Sequence, residues 1–151
     1  MESRTADEQG IEPITGELLS GISQLNRRLF RAAEFAVPRS YVSTLDALAK
    51  GPCRVTDLAC HIDLTQPRAT IILQKLEERG LVERRRCAED RRAVEACITP
   101  AGRDFLEQGR QRAATALVDA LRADIDDPER AIALARDAIG ALVQALAAEG
   151  S

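Results

Sequence analysis

The sequence predicts a mainly α chain with one small β-hairpin. Three observations predict it. Apolar residues recur at three- and four-residue spacing through most of the 151 positions, the period of a helix with one buried face. A single stretch breaks that period: Val94, Ala96 and Ile98 alternate with Ala93, Glu95 and Cys97, the period of a strand. Proline, glycine and aspartate punctuate the chain where the periods change. Aromatic residues make up only 3%, so the core is expected to be Leu, Ile, Val and Ala rather than rings.

The elements follow in order. Leu18, Ile22, Leu25, Leu29 and Ala32 or Ala33 form the stripe of a first helix, with Arg27, Arg28 and Arg31 on its other faces, and Pro38 lies beyond its end. Val42, Leu45, Leu48 and Ala49 give a second helix over 40–50, stopped by Gly51-Pro52. Residues 55–62 read as a short third helix. Asp63 takes the following turn, since aspartate tolerates the left-handed region. Thr65 is expected to cap a fourth helix, with Pro67 in its first turn, where a missing N–H costs nothing. Ala69, Ile72, Leu73 and Leu76 face its core, and Gly80 ends it. Residues 82–87 and 93–99 read as two strands joined by a turn over 88–92. Thr99-Pro100 opens a long fifth helix with its face at Leu106, Ala113, Leu117, Ala120 and Leu121. Asp127-Pro128 opens a sixth, with Ile132, Ala135, Ile139, Leu142, Val143 and Leu146 as its stripe. There is no internal repeat. Two helices joined by a tight turn and followed by a hairpin make a winged helix-turn-helix, a motif whose second helix enters the DNA major groove.

Charge is unevenly placed. The net charge is −3, yet residues 54–103 hold ten basic and eight acidic side chains. Five arginines fall between Arg84 and Arg92. A basic middle between acidic flanks is the pattern of a chain that meets phosphate in its centre. The N-terminus, polar and mixed in charge, does not read as a secretory signal. No stretch is expected to approach the roughly 20 apolar residues of a membrane span, and a cytoplasmic location is expected. The four cysteines, 53, 60, 87 and 97, have no C-x-x-C spacing, and His61 is the sole histidine, so neither a zinc site nor any cofactor is expected. Cys87 and Cys97 lie about five residues apart along the hairpin ladder, on the order of 16 Å at ~3.3 Å per residue, which excludes a disulfide. With no G-x-S-x-G, no phosphate loop and no clustered carboxylates, an enzyme is not expected.

Residues 51–102, "GPCRVTDLACHIDLTQPRATIILQKLEERGLVERRRCAEDRRAVEACITPAG", resemble the centre of MarR-type transcriptional regulators, the multiple-antibiotic-resistance regulator family. The matching features are the Leu-Ala of the short helix, the Leu-Thr-Gln-Pro start of the fourth, "LEERGLVERR", the "EDRR" wing and the "ITPAG" exit. The resemblance implies a winged helix-turn-helix with flanking dimerisation helices. It implies an obligate homodimer, interleaved through the first, fifth and sixth helices, that presents two winged motifs to a pseudo-palindromic site on double-stranded DNA. The chain then divides into a disordered tail (1–12), a dimerisation helix (13–36), the winged motif (37–99) and C-terminal dimerisation helices (100–149), all within one domain.

On that resemblance the arginine cluster is the wing. Asp90 braces it by pairing with an arginine, and Arg92 or its neighbour Arg91 enters the minor groove, with Arg86 beside them. Guanidinium suits a narrow, strongly negative groove and bonds phosphate in bidentate fashion. Thr65, Gln66 and Arg68 on the first turn of the fourth helix reach base edges or phosphates, Gln66 as an adenine reader and Arg68 as a guanine reader. Lys75 is a phosphate contact. Two positions depart from the family. Ile71 stands where a polar or basic residue is common, and either touches a thymine methyl or packs under the wing. Arg54 stands where a threonine caps the short helix. Thr56 is then expected to start that helix later, leaving Arg54 for a backbone phosphate.

Relatives respond to small aromatic or phenolic anions, and Arg28, Phe30, Tyr41 and Leu45, with Arg27 and Arg31 near them, lie in the segments that line such a pocket. Others sense oxidants. Cys87, beside Arg85 and Arg86, is the first candidate, since positive neighbours lower a thiol pKa; Cys60 is the second. Either signal would release a regulator, most simply a repressor, from its operator. The rival from a different class is a winged module that binds protein instead of DNA.

Overall fold

The structure, a computed structural model, describes residues 6–149. Among the described residues, six helices and three short strands follow in chain order: α1 (Ala6–Ala32), α2 (Arg39–Ala49), β1 (Cys53–Arg54), α3 (Val55–His61), α4 (Gln66–Glu78), β2 (Val82–Arg86), β3 (Val94–Ile98), α5 (Pro100–Asp124) and α6 (Pro128–Glu149). The chain forms two compact units, up to Ala113 and from Ala114, where one domain was expected. The division falls inside α5, at no break that the sequence marks.

Two expectations need correction, and one, the hairpin, is extended. Residues 6–12, assigned to a tail, are helical, and α1 continues through Pro13; residues 1–5 lie outside the described residues. Ala6, Glu8 and Gln9 are good helix formers, and one proline removes a single ladder bond. Second, the hairpin belongs to a three-stranded antiparallel sheet in the order β1-β3-β2. β1 has only two residues, Cys53 and Arg54, opposite Ala96 and Glu95, too few to show a period. Third, α6 is 22 residues long with a mean hydropathy of 1.5 over its apolar stretch, long and apolar enough by length and composition to cross a membrane. The large apolar side chains alone do not reveal this, because alanines supply much of its hydropathy. The exposed Arg136–Asp137 pair, 3.0 Å apart in the middle of α6, runs against a span, since either charge at a bilayer centre costs about 2.5–3.5 kcal/mol.

The core of the first unit gathers Val42, Leu45 and Leu48 of α2, Leu58 of α3, Ile72, Leu73 and Leu76 of α4, Val82 and Ala96 of the sheet, and Leu106 of α5. Two helix ends are closed alike. After α3, Asp63 adopts φ 53°; its N–H reaches the Cys60 carbonyl, and that of Leu64 reaches Ala59. After α4, Gly80 adopts φ 73°; its N–H bonds Glu77, and that of Leu81 bonds Leu76. Both are the paired 6→1 and 5→2 bonds that satisfy the last carbonyls of a helix. The second closure packs Leu81 on Leu76 and fixes where β2 leaves α4.

α5 starts on Thr99. Its Oγ1 donates to the Gly80 carbonyl at 2.6 Å and accepts the Gly102 N–H at 3.1 Å, tying the foot of α5 to the end of α4. Asp127 caps α6 by accepting the Arg130 N–H at 3.0 Å. The stripe expected to be buried on α6 finds no cover: none of its residues is buried, and Leu146 is 72% exposed. On α1, Leu18, Ile22 and Leu25 are likewise bare, and burial begins only near its end, at Ala33.

Candidate nucleic-acid interface

α4 is held by its buried face, Ala69, Ile72, Leu73 and Leu76. Packing of these residues on α2, α3 and β2 leaves the opposite face open. Thr65, Gln66, Arg68, Ile71 and Lys75 are all exposed, as a helix meant to be inserted elsewhere requires. Their local roles differ from expectation. Thr65 sits at the N-cap position but makes no side-chain cap bond; its carbonyl accepts the Ala69 N–H instead. The Gln66 amide leans back on the Thr56 carbonyl at 3.5 Å. Lys75 lies 3.4 Å from Glu78, an exposed pair worth little and easily exchanged for a phosphate. Ile71 is 56% exposed, which excludes packing under the wing.

The five wing arginines separate into two sets. Arg84 Nε donates to Glu77 on α4 at 2.7 Å, and Arg85 Nε donates to Glu95 on β3 at 2.9 Å. These two brace the hairpin. Arg86, Arg91 and Arg92 are exposed and form no ion pair among the described residues, so their charge is directed outward. The tip is closed by backbone: the Cys87 N–H reaches the Ala93 carbonyl at 2.9 Å, and the Ala93 N–H reaches Asp90 at 3.0 Å. Asp90 braces the wing, but through main chain. Its Oδ1 accepts the Arg92 N–H at 3.0 Å, an Asx turn, where a guanidinium partner was expected. A short side chain two residues before the N–H closes this ring with less lost rotamer freedom than a long arginine would cost.

Arg54 precedes α3 in extended conformation and gives no cap bond. The helix nevertheless begins at Val55, so the later start at Thr56 is not seen. Arg54 lies opposite Glu95 on the sheet and near Cys87, where its charge favours the thiolate.

Glu95, which no sequence motif singles out, is the hub of this face. It accepts Arg85 through Oε1 and the Cys87 thiol through Oε2, at 2.9 and 3.2 Å. The Arg85 and Cys87 hydrogen bonds hold its carboxyl below the ordinary range. The same contact reverses the expectation for Cys87. Its pKa is raised, first because the thiol donates to Glu95, then by burial and the carboxylate charge, with only Arg54 opposing. Arg85 is already neutralised by Glu95, so it does not activate the thiol. Replacing Glu95 by glutamine removes the acceptor charge that favours S–H. The thiol pKa then falls, more thiolate is present at pH 8, and alkylation of Cys87 is expected to be faster than in wild type when read on its own peptide. An unchanged rate would contradict this account of the shift.

All four cysteines are free: Cys60 exposed, Cys53 and Cys87 half-buried, Cys97 buried. The register sets Cys97 opposite Glu83 while Cys87 bonds Ala93, which keeps those two apart as expected. Burial raises the thiol pKa of both Cys53 and Cys97.

Three of the four candidate ligand-pocket residues gather at the hydrophobic core. Leu45 is fully buried and belongs to the core, because α2 turns it towards α4. Tyr41 and Phe30 pack partly buried against that core. Phe30 lies 5.8 Å from Phe35 and carries the Arg39 guanidinium 4.4 Å above its ring. Arg28 instead lines a cavity of about 310 Å³ with Gln24, Arg27 and Arg31, all on α1. A larger cavity of about 720 Å³ lies beside the wing, where Lys50, Cys53, Arg54, His61, Cys87 and Glu95 contribute to its lining.

Comparison with known proteins agrees with this geometry. Residues 45–94 match the model of the MarR family. The transcriptional repressor MprA of Escherichia coli (strain K12) is 32% identical over 65 residues. That match takes in 43% of this chain and 37% of the repressor, so the chain spans well under half the length of its curated relative. A candidate transcriptional regulator from Pseudomonas aeruginosa PA01 superposes with a TM-score of 0.73 at 28% identity, over 95% of this chain and 98% of that one. A MarR family protein from Bacillus stearothermophilus shares the fold, with a TM-score of 0.76 at 18% identity, over 95% and 99% of the two chains.

Proposed function

The chain belongs to the MarR family through its winged segment, and from that premise we propose that it is a homodimeric, DNA-binding transcriptional regulator, most simply a repressor. The observation that carries the reading is the sorting of the wing arginines. Arg84 and Arg85 are used to stiffen the hairpin, while Arg86, Arg91 and Arg92 stay exposed beside the open face of α4. Two arginines committed to rigidity and three left for an anion suit a wing that enters a minor groove while the helix before it lies in the major groove. Arg54, Arg68 and Lys75 add positions from which phosphate can be reached.

The dimer is supported by exposed apolar side chains. A monomer that leaves Leu18, Ile22 and Leu25 bare on α1, and Ile139, Leu142 and Leu146 bare on α6, exposes more than a soluble surface usually tolerates. A second copy covers such stripes without a membrane, which keeps the protein in the cytoplasm with its DNA. Repression is the role of the curated relative, and it is the simplest use of a dimer that occupies promoter DNA. Release by a small aromatic or phenolic ligand completes the proposal. Such a ligand acts by favouring a dimer whose two recognition helices are wrongly spaced. The cavity beside the wing offers a place for it, since its lining joins the wing to α3.

Footprinting on a duplex selected from a random pool tests the two-fold reading. The expected result is two protected half-sites of related, inverted sequence, with centres about 10 base pairs apart or a multiple of that. A single protected patch without inverted symmetry would contradict it.

A further inference from the structure

We propose that Ile71, with Pro67 one turn before it, is the specificity-determining contact of α4 and reads the 5-methyl group of a thymine in each half-site. The inference rests on the DNA-binding reading above and deepens it. The buried residues Ala69, Ile72, Leu73 and Leu76 define the direction of the core. At about 100° per residue, Pro67 lies roughly 170° from that direction and Ile71 roughly 150°. Gln66 lies only about 70° away by the same construction, and its amide is turned back to Thr56. Gln66 is therefore on the flank, and in the first half of α4 the centre of the presented face is apolar; Gln74 and Glu78, about 150° and 170° from the core by the same construction, continue that face towards the end of the helix.

Every other large apolar residue of α4, namely Ile72, Leu73 and Leu76, is buried, whereas Ile71 is 56% exposed. Its surroundings say what meets it. Arg68 and Lys75 flank it on one side of α4, with Thr70 and Gln74 on the other; of the free wing arginines, Arg86 ends β2, and Arg91 and Arg92 lie in the turn before β3. A cationic border suits a polyanion, not an apolar protein surface. Within a major groove the one apolar group offered by any base is the thymine methyl. Ile71 has no donor or acceptor, so it can discriminate by that methyl and by little else. Against the cytosine amino group it would bury an unsatisfied donor, so cytosine is rejected at the same position.

The test uses the full chain and a duplex selected by it from a random pool. Each thymine is then replaced in turn by deoxyuridine, which removes the methyl and leaves every hydrogen-bonding group in place. One thymine in each half-site is expected to matter. Its replacement weakens binding about fourfold, the transfer of one buried methyl-sized group, and replacement in both half-sites about sixteenfold. Ile71→Ala is expected to weaken binding of the thymine duplex and to abolish the thymine–uracil difference, while Ile71→Val keeps most of it. Both variants should melt as wild type does, because the side chain is exposed. Equal binding of thymine and uracil duplexes at every position overturns the proposal, as does a difference that survives in Ile71→Ala. A chain that selects no duplex overturns the DNA-binding reading itself, and this inference with it.

Discussion

Gly102→Ala is expected to destabilise the winged unit by about 3 kcal/mol, the upper range for forcing atoms into a packed site. A Cβ built there would stand 2.2 Å from the Leu81 carbonyl oxygen and 2.7 Å from Ile98 Cγ1. The isoleucine can turn away; the carbonyl cannot. Leu81 donates its N–H to Leu76 in the closure of α4, and its carbonyl accepts the Thr99 N–H at 3.1 Å. Thr99 in turn holds the Gly80 carbonyl and the Gly102 N–H. Any shift that makes room at Gly102 therefore pulls on the end of α4 and the root of β2 together. Thermal unfolding should show the midpoint fall by roughly 10 °C. The contrast is Gly109→Ala. Its Cβ would meet the Phe35 ring at 2.1 Å, a side chain that can swing, so a smaller loss is expected there. An unchanged midpoint for Gly102→Ala would contradict the packing described at this joint.

The largest functional effect is expected from Arg91→Ala combined with Arg92→Ala. Both side chains are exposed and form no ion pair among the described residues, so removing them should leave unfolding unaltered. The proposed dimer would present two wings, so each substitution would count twice. Affinity for duplex DNA is expected to fall about a hundredfold at fixed salt. The salt slope should become shallower by about 0.9 for every phosphate that is no longer neutralised. Arg84→Ala supplies the internal control. Its guanidinium is already bound to Glu77 at 2.7 Å, so removing it should loosen the hairpin and change the slope little. A double variant that binds as tightly as wild type would remove the wing from the interface.

Much of this arrangement is legible in the residues. α4 and the turn before it are fixed by local chemistry: period 3.6 at Ala69, Ile72, Leu73 and Leu76, an aspartate at the left-handed position 63 and a glycine at position 80. The hairpin follows from its alternation and the turn over 88–92, and Cys87 and Cys97 stand apart on the ladder as expected; that Cys97 faces Glu83 rather than Val82 is set by the structure. What the residues do not reveal depends on neighbours distant in sequence. Leu45 carries the same apolar signal whether it lines a cavity or fills a core; only the packing of α2 on α4 decides. The sign of the Cys87 shift turns on Glu95, eight residues away along the chain and brought near by the ladder. The two arginines just before Cys87 point to the opposite sign, because nothing local reveals that Arg85 is already paired. Asp90 has the expected task and a different partner, since an Asx turn and an ion pair demand the same residue type. β1 leaves no trace in the sequence because two residues have no period. The full length of α1 is hidden because Pro13 reads as a boundary.

The rival reading, a winged module that binds protein, uses the same fold and the same exposed face. It differs in what that face would do with its charge. The most direct measurement is the affinity of the full chain for the DNA immediately upstream of its own gene, by gel shift across a series of salt concentrations, with wild type and the Arg91→Ala, Arg92→Ala double variant side by side. The account predicts that wild type shifts the duplex, that log affinity falls linearly with log salt, and that the double variant has both a lower affinity and a shallower slope. No shift by wild type even at low salt, or binding indifferent to salt, would contradict it and return the wing and α4 to a protein partner.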